Sequence, residues 1–343
     1  MSMRCLSSRF YLSSIAALLA MTGTVGAASE DPSLAPGSAL DVASIPFRIV
    51  YESLREAGDR ENWELILIDA DGTNPVNLTR TAEIDEMYPH VSPDGTRICF
   101  VADEGAGRKR VRSVYLMNLD GTGRVKVAHN ARQPCWSPDG RRIAYLKGEY
   151  DRYTTRDYAS KGVFLYDIES GRQTAHPNHE KLYHLYNLCW SPCGRWFLAT
   201  VHGGMGFDHA VLAFEADGER IVDLTPCDVT GCRPDLSPDG KMLTWGKTDW
   251  DLCVGRIDLE STAPTVTDVR RIVHCDRDHE VYHTDFSPDG RYIAFSHGPK
   301  ANEMVGEKAP GWNICITDLQ GRWVQITTDG RHNKEPDWAP AEN

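Results

Sequence analysis

Phe286-Ser287-Pro288-Asp289-Gly290-Arg291-Tyr292-Ile293-Ala294-Phe295 is one copy of a phrase that recurs along the chain. Trp136-Ser137-Pro138-Asp139-Gly140, followed by Ile143-Ala144-Tyr145, is another. Ser92 to Gly95 and Ser237 to Gly240 repeat its centre, and Ser191-Pro192-Cys193-Gly194 varies it. Asp337-Trp338-Ala339-Pro340 is a truncated sixth copy. Measured from Ser to Ser, the intervals are 45, 54, 46 and 50 residues, then 52 to Ala339. A period of this size indicates a solenoid or a propeller.

Each copy has the same grammar. A short apolar strand precedes the motif, as in His283 to Phe286. Asp-Gly then supplies a tight turn, because Gly tolerates positive φ and Asp bonds the turn backbone. A second strand follows (Ile143 to Leu146), then a variable loop, a third strand (Val163 to Ile168) and a short fourth (Val324 to Ile326 in the last copy). Four antiparallel strands make a propeller blade. Arg48 to Tyr51, Glu64 to Asp69 and Val76 to Leu78 match strands two to four with no first strand before them. Glu335 to Pro340 is a first strand with nothing after it. The expectation is all-β: a six-bladed β-propeller of four-stranded antiparallel blades, residues 46–340, its ring closed by the C-terminal strand. Closure removes the open edges that a sheet otherwise has to protect.

The 343 residues hold 37 Lys and Arg against 49 Asp and Glu, a formal charge of −12. Setting aside Met1–Ala28, with Arg4 and Arg9 and no acid, makes it −14. That balance argues against general nucleic-acid binding, which needs a basic footprint. Hydrophobic content of 41% with nine Trp suffices for a sizeable core. Met1–Ala28 reads as a secretory signal peptide: a basic start, the short apolar run Phe10 to Met21, and Val25-Gly26-Ala27 before a cut. Residues 29–45 read as a leader and 341–343 as a tail. No later segment is apolar enough to span a membrane, so the mature chain is expected to be exported, periplasmic or extracellular. Nine cysteines remain after Cys5, an odd number, so at least one is free or pairs with another chain. Cys227 and Cys232 are the candidate bridge. Cys99, Cys135, Cys189, Cys253 and Cys315 sit in apolar strand patterns, as small buried hydrophobes do.

The Trp/Phe-Ser-Pro-Asp-Gly motif followed by Ile-Ala-Phe/Tyr resembles the WD40-like (PD40) repeat family. These repeats form the propeller of TolB-type periplasmic proteins, and related propellers sit on prolyl-oligopeptidase-type peptidases. The resemblance implies a propeller over the whole mature chain. TolB proteins carry an N-terminal α/β domain, for which the interval before the first blade is too short. The Gly-x-Ser-x-Gly elbow of a hydrolase is absent from the sequence.

In this architecture two loop sets share one face, and loops on a rigid scaffold carry function. The strand-four-to-one loops deliver Tyr88, Arg132, His184, Arg233, His279, His283 and Lys334. The strand-two-to-three loops deliver His202, His209 and His297, with two long insertions, Gly148 to Lys161 and His297 to Trp312, that can lid the opening. Arg132, Arg233 and Lys334 read as matched positions in three blades, a basic ring suited to an anionic ligand or a carboxylate-bearing partner. Asp235, Asp285 and Asp337 share one register with His90, Cys135 and Cys189, and bond loop backbone in the simplest reading. The opposite face holds the Asp-Gly turns, explained by turn geometry alone.

Two functions follow. The favoured one is a non-enzymatic binding module for an envelope protein or glycan, with Arg132, His184, His202, Arg233, His283, His297 and Lys334 as candidate contacts and no cofactor. The alternative is a metal-dependent carbohydrate enzyme resembling oligogalacturonate lyases, with a divalent metal on His202, His283 and His297. It requires those three rings to converge on one point.

Overall fold

The computed structural model describes residues 40–57 and 59–341. The expected signal peptide and most of the leader lie outside the described residues. Six four-stranded antiparallel sheets form the ring. Blade 1 joins the C-terminal β24 (Asn333–Pro340) to β1 (Phe47–Ala57), β2 (Arg60–Asp69) and β3 (Val76–Asn77). Blade 2 is β4 (Asp85–Val91), β5 (Arg97–Glu104), β6 (Val111–Asn118) and β7 (Val125–His129). Blade 3 is β8 (Ala131–Trp136), β9 (Arg142–Gly148), β10 (Ser160–Asp167) and β11 (Gln173–Ala175). Blade 4 is β12 (Leu185–Trp190), β13 (Trp196–Gly204), β14 (Phe207–Glu215) and β15 (Ile221–Asp223). Blade 5 is β16 (Cys232–Leu236), β17 (Met242–Thr248), β18 (Asp251–Asp258) and β19 (Thr265–His274). Blade 6 is β20 (His279–Phe286), β21 (Tyr292–Pro299), β22 (Asn313–Asp318) and β23 (Trp323–Gln325). Closure by the C-terminal strand is as the repeat requires.

The repeated turn is a hydrogen-bonded box. In blade 2 the Ser92 hydroxyl donates to Asp94 Oδ1 at 2.6 Å, the Thr96 N–H donates to the same oxygen at 3.0 Å, and the Arg97 N–H donates back to Ser92 Oγ at 3.0 Å. Gly95 sits at φ +70°, where a side chain is strained. Blades 3, 5 and 6 repeat the Ser-to-Asp bond at 2.5, 2.6 and 2.7 Å. Blade 4 has exposed Cys193 in place of the Asp: a 3.4 Å Ser191 Oγ–Sγ contact replaces the Ser-to-Asp bond, while the Trp196 N–H still donates to Ser191 Oγ at 3.0 Å. Cys193→Asp restores an acceptor for Ser191 and for the Arg195 N–H. It is expected to stabilise by about 1 kcal/mol and raise Tm by roughly 2–4 °C, read by thermal unfolding.

Trp136, Trp190 and Trp338 are buried blade core, as their register indicates. Two of them also tie neighbouring blades: Trp136 Nε1 donates to His90 O at 2.8 Å, and Trp338 Nε1 to Asp285 O at 3.0 Å. The in-register aspartates do similar work. Asp235 accepts the Phe286 N–H at 2.8 Å, and Asp337 the Val91 N–H at 3.3 Å. Burial pushes Asp235 up to about 6 and lifts Asp285 and Asp337 well above the carboxylate range, the latter two also sharing a hydrogen bond. Raised folded values mean stability is complete below the unfolded pKa, near 4, and is lost as pH rises through the folded values. Asp285→Asn keeps the shape and removes one buried charge. It is expected to stabilise at pH 8 by about 1 kcal/mol or more and to change little at pH 4.

Cys227 and Cys232 are both free thiols, as are the other described cysteines. Cys99, Cys135, Cys189, Cys253 and Cys315 are buried.

Candidate functional site

Every innermost strand breaks its ladder at one register. Tyr88, Gln133, Asn187, Arg233, His283 and Glu335 all have φ between +46° and +57°. Each lies four residues before the motif Ser, or before Ala339 in blade 1, and each sits at a shift in pairing register. A bulge of this kind re-aims side chains and ends pairing locally. The residue one step earlier gives a second set: Lys334, Met87, Arg132, Tyr186, Cys232 and Tyr282 in blades 1 to 6. Arg132 and Lys334 therefore belong to one set and Arg233 to the other, which corrects the matched-ring expectation. Counted to the motif, Arg132 and Lys334 stand five residues before it and Arg233 four, so the three do not share a register.

The two insertions close the opening. Val305 N–H donates to Asp157 Oδ2 at 3.3 Å, joining one insertion to the other. Lys334 Nζ donates to Met304 O at 2.7 Å and Glu307 O at 2.9 Å. Arg132 donates to Arg156 O, and Arg112 to Val305 O at 3.2 Å. Trp63, on a β1–β2 hairpin longer than the expected Arg48–Tyr51 and Glu64–Asp69 strands, donates to Gly306 O at 3.1 Å.

Beneath this lid lies a buried set of four cations and four acids. Arg233, 1% exposed, meets Asp157 at 2.9 Å and Glu335 at 3.3 Å. Arg112 meets Asp103 at 2.8 Å, and Lys334 meets Glu52 at 3.5 Å. Arg132 is the fourth cation, and burial pulls it down to about 10. Burial alone disfavours a charged Arg233, but Glu335, Asp157 and Glu303 outweigh it and hold it cationic. Burial raises Glu335 and Glu52 above the carboxylate range. His283 Nε2 donates to Glu303 O at 3.0 Å and lies 3.1 Å from Glu335 Oε1. Burial, then Arg233 and Lys334, drive its pKa well down, so the ring is neutral. The basic residues are thus consumed by internal acids and by the lid.

Where the lid stops, between blades 4, 5 and 6, a pocket of about 520 Å³ opens. Its inner wall is the same register that lies under the lid elsewhere: Tyr186, Cys232 and Tyr282. Asp157, Tyr158, Glu303 and Met304 of the insertions also line it, with His202, Asp208, His209, Lys247 and Asp249. Tyr186 Oη and His209 Nε2 are 2.9 Å apart, and Tyr282 donates to Asp249 Oδ1 at 2.5 Å. Tyr158 packs against His202, ring centres 4.4 Å apart. Burial lowers His209 and raises Tyr186 and Tyr282, keeping all three neutral near pH 7.

Of the expected contacts, His202 lines the pocket. His184 stands beside it, 3.3 Å from Glu149 of the first insertion. Arg132, Arg233, His283 and Lys334 are buried beneath the lid. His297 lies elsewhere, stacked on His279 at 5.2 Å and against Trp323 of the outermost strand at 5.3 Å. His202, His283 and His297 do not share a point, and among the described residues no group of three His, Cys, Asp or Glu has metal-binding geometry. Tyr158, Tyr186, Tyr282 and Asp249 were not anticipated. Counting five residues back from each motif Ser finds Tyr186 and Tyr282.

No family model matches the chain, so the likeness to PD40 repeats rests on its motifs. A stretch of 231 residues, 63% of the chain, is 26% identical to an uncharacterized peptidase YuxL of Bacillus subtilis (strain 168). Another, of 89 residues, is 37% identical to the Tol-Pal system protein TolB of Alcanivorax borkumensis. The chain spans only 30% and 20% of the length of these two relatives. The crystal structure of TolB from Acinetobacter baumannii superposes with a TM-score of 0.62 at 19% identity, over 86% of this chain and 67% of that one. The fold is a TolB-like six-bladed β-propeller.

Proposed function

We propose that this chain is an exported binding module that receives a segment of a protein or glycan partner in the pocket between blades 4, 5 and 6. The closed mouth carries the reading. Two insertions are fastened over the inner ring, and beside them a preformed pocket opens between blades 4, 5 and 6. Preformed pockets with a few convergent polar groups are the usual binding sites of such scaffolds. The TolB-like fold supports a propeller that works by interaction, and the N-terminal sequence supports export. Arg132, Arg233, His283 and Lys334 act by holding the lid, while His202 and His184 meet the partner. The separation of His202, His283 and His297 removes the support that the lyase reading needed.

The test is a photo-crosslinking residue placed at Tyr158, at the pocket, and separately at Arg291, on the turn face. Exposed to envelope extract or a glycan array, the Tyr158 position should give a defined adduct and Arg291 none. Adducts at Arg291 alone, or equally at both, would move the site off this pocket.

A further inference from the structure

We infer that this pocket selects a primary ammonium group, the chemistry of a lysine side chain or a peptide amino terminus presented by the partner. The inference rests on the pocket being the binding site and adds the class of group it takes. The first support is charge. Asp157, Asp208, Asp249 and Glu303 line the pocket, against one ammonium, Lys247. That ammonium is already held by Asp228 at 2.6 Å. Arg233, behind the wall, meets two of these acids, Asp157 at 2.9 Å and Glu303 at 3.9 Å, and also Glu335 at 3.3 Å, so its single charge does not cancel theirs. His209 is neutral and offsets nothing. An anionic ligand such as a uronate meets like charge here, and a cation meets its complement.

The second support is the walls. Three tyrosine rings line one cavity, and ring faces attract cations. The Tyr186 ring already holds the Arg233 guanidinium, 5.5 Å from its centroid, so Tyr158 and Tyr282 are the rings left to a ligand. Tyr282 is fixed flat against Trp312, centroids 6.0 Å apart and 13° between planes, and its hydroxyl is tied to Asp249. The rings are therefore held in place before any ligand arrives, which reduces the ordering cost of binding. The third support is an orphaned oxygen. Asp157 is 2% exposed, lines the pocket, and its Oδ1 has no hydrogen-bond partner, the nearest cation being Arg112 at 3.9 Å. A buried carboxylate oxygen without a donor is costly, and an ammonium supplies three.

The test uses calorimetric titration of the folded protein with four probes: Nα-acetyl-lysine amide, its Nε-acetyl derivative, glycinamide and galacturonate. A probe bearing the free ammonium should bind, and Nε-acetylation should weaken the lysine probe at least about tenfold. Asp249→Asn and Glu303→Gln should each weaken it severalfold while the thermal transition stays sharp, and added salt should weaken it further. Tighter binding of the lysine probe assigns a side chain, and tighter binding of glycinamide an amino terminus. Equal binding of the acetylated probe, preference for galacturonate, or no heat from any probe overturns the inference. If the probes fail while the Tyr158 crosslink still forms, this inference falls and the binding-module reading stands.

Discussion

A chain that stops at His332 is expected not to form a soluble ring. The missing residues are the inner strand of blade 1, where Trp338 pairs with Ile49 and Asn333 with Ser53. With them go Lys334, which faces buried Glu52 at 3.5 Å, and the Asn333 oxygen that accepts the Ser53 hydroxyl at 2.6 Å. Loss of the Trp338 side chain alone costs about 3–5 kcal/mol by the usual measure of a buried Trp. That is a large part of the ~5–15 kcal/mol that holds a domain. The β1 strand then presents an unpaired apolar edge, including Ile49, Val50 and Tyr51, and such edges aggregate. The truncated chain should be insoluble on expression or lack a cooperative unfolding transition and near-UV circular dichroism. A synthetic peptide of residues 333–343, added during refolding, should restore both. A truncated chain that unfolds cooperatively within about 5 °C of the full one would show that the closing strand does not hold the ring.

Much of this architecture was legible because one phrase repeats. Ser, Asp and Gly are fixed by the turn's hydrogen bonds, so aligning on Ser287 or Ser137 sets the register of every blade. The unmatched strands at the two ends then require closure. The site was less legible, because its geometry turns on the bulge. Arg132 and Arg233 both stand near the start of a first strand, but they lie five and four residues before the motif Ser, so one follows the ladder and the other sits at φ +56°. A signal was present: Pro89, Pro134, Pro234 and Pro336 each stand three residues before the motif Ser or its equivalent. A proline inside an inner strand marks a break in the ladder. Which charges would be buried was not legible at all. Lys334 and Glu52 are far apart in sequence, and only the folded insertions show that the mouth is covered. The histidines share a face by topology, but His297 reaches outward to Trp323 while His283 turns inward, a difference that residue spacing does not carry.

Arg233→Met should be the most damaging single change of a charged residue, and its partners should behave differently. Among the described residues the guanidinium is the only cation at hydrogen-bonding distance of Asp157 or Glu335; Arg112 lies farther from Asp157, at 3.9 Å. Methionine fills similar volume but leaves Glu335 buried without its cation and Asp157 with only the more distant Arg112. Removing one partner of a buried pair costs about 3–5 kcal/mol, on the order of 10 °C in Tm for a ring of this size. Glu335→Gln is milder, since Arg233 keeps Asp157 at 2.9 Å and Glu303 at 3.9 Å. Its expected cost is about 1 kcal/mol. The double variant should therefore be more stable than Arg233→Met alone, which requires an interaction energy of about 2 kcal/mol or more, larger than the cost of Glu335→Gln itself. The pH dependence has a definite sign. Without Arg233 the folded-state pKa of Glu335, already raised by burial, rises further above its unfolded value. The folded state then binds more protons than the unfolded one, so the variant loses stability as pH rises through that window. The gap between Arg233→Met and the parent should be smaller at pH 5 than at pH 8 in urea unfolding. A gap that does not change with pH, together with a double variant no better than the single, would mean that Arg233 serves only as volume.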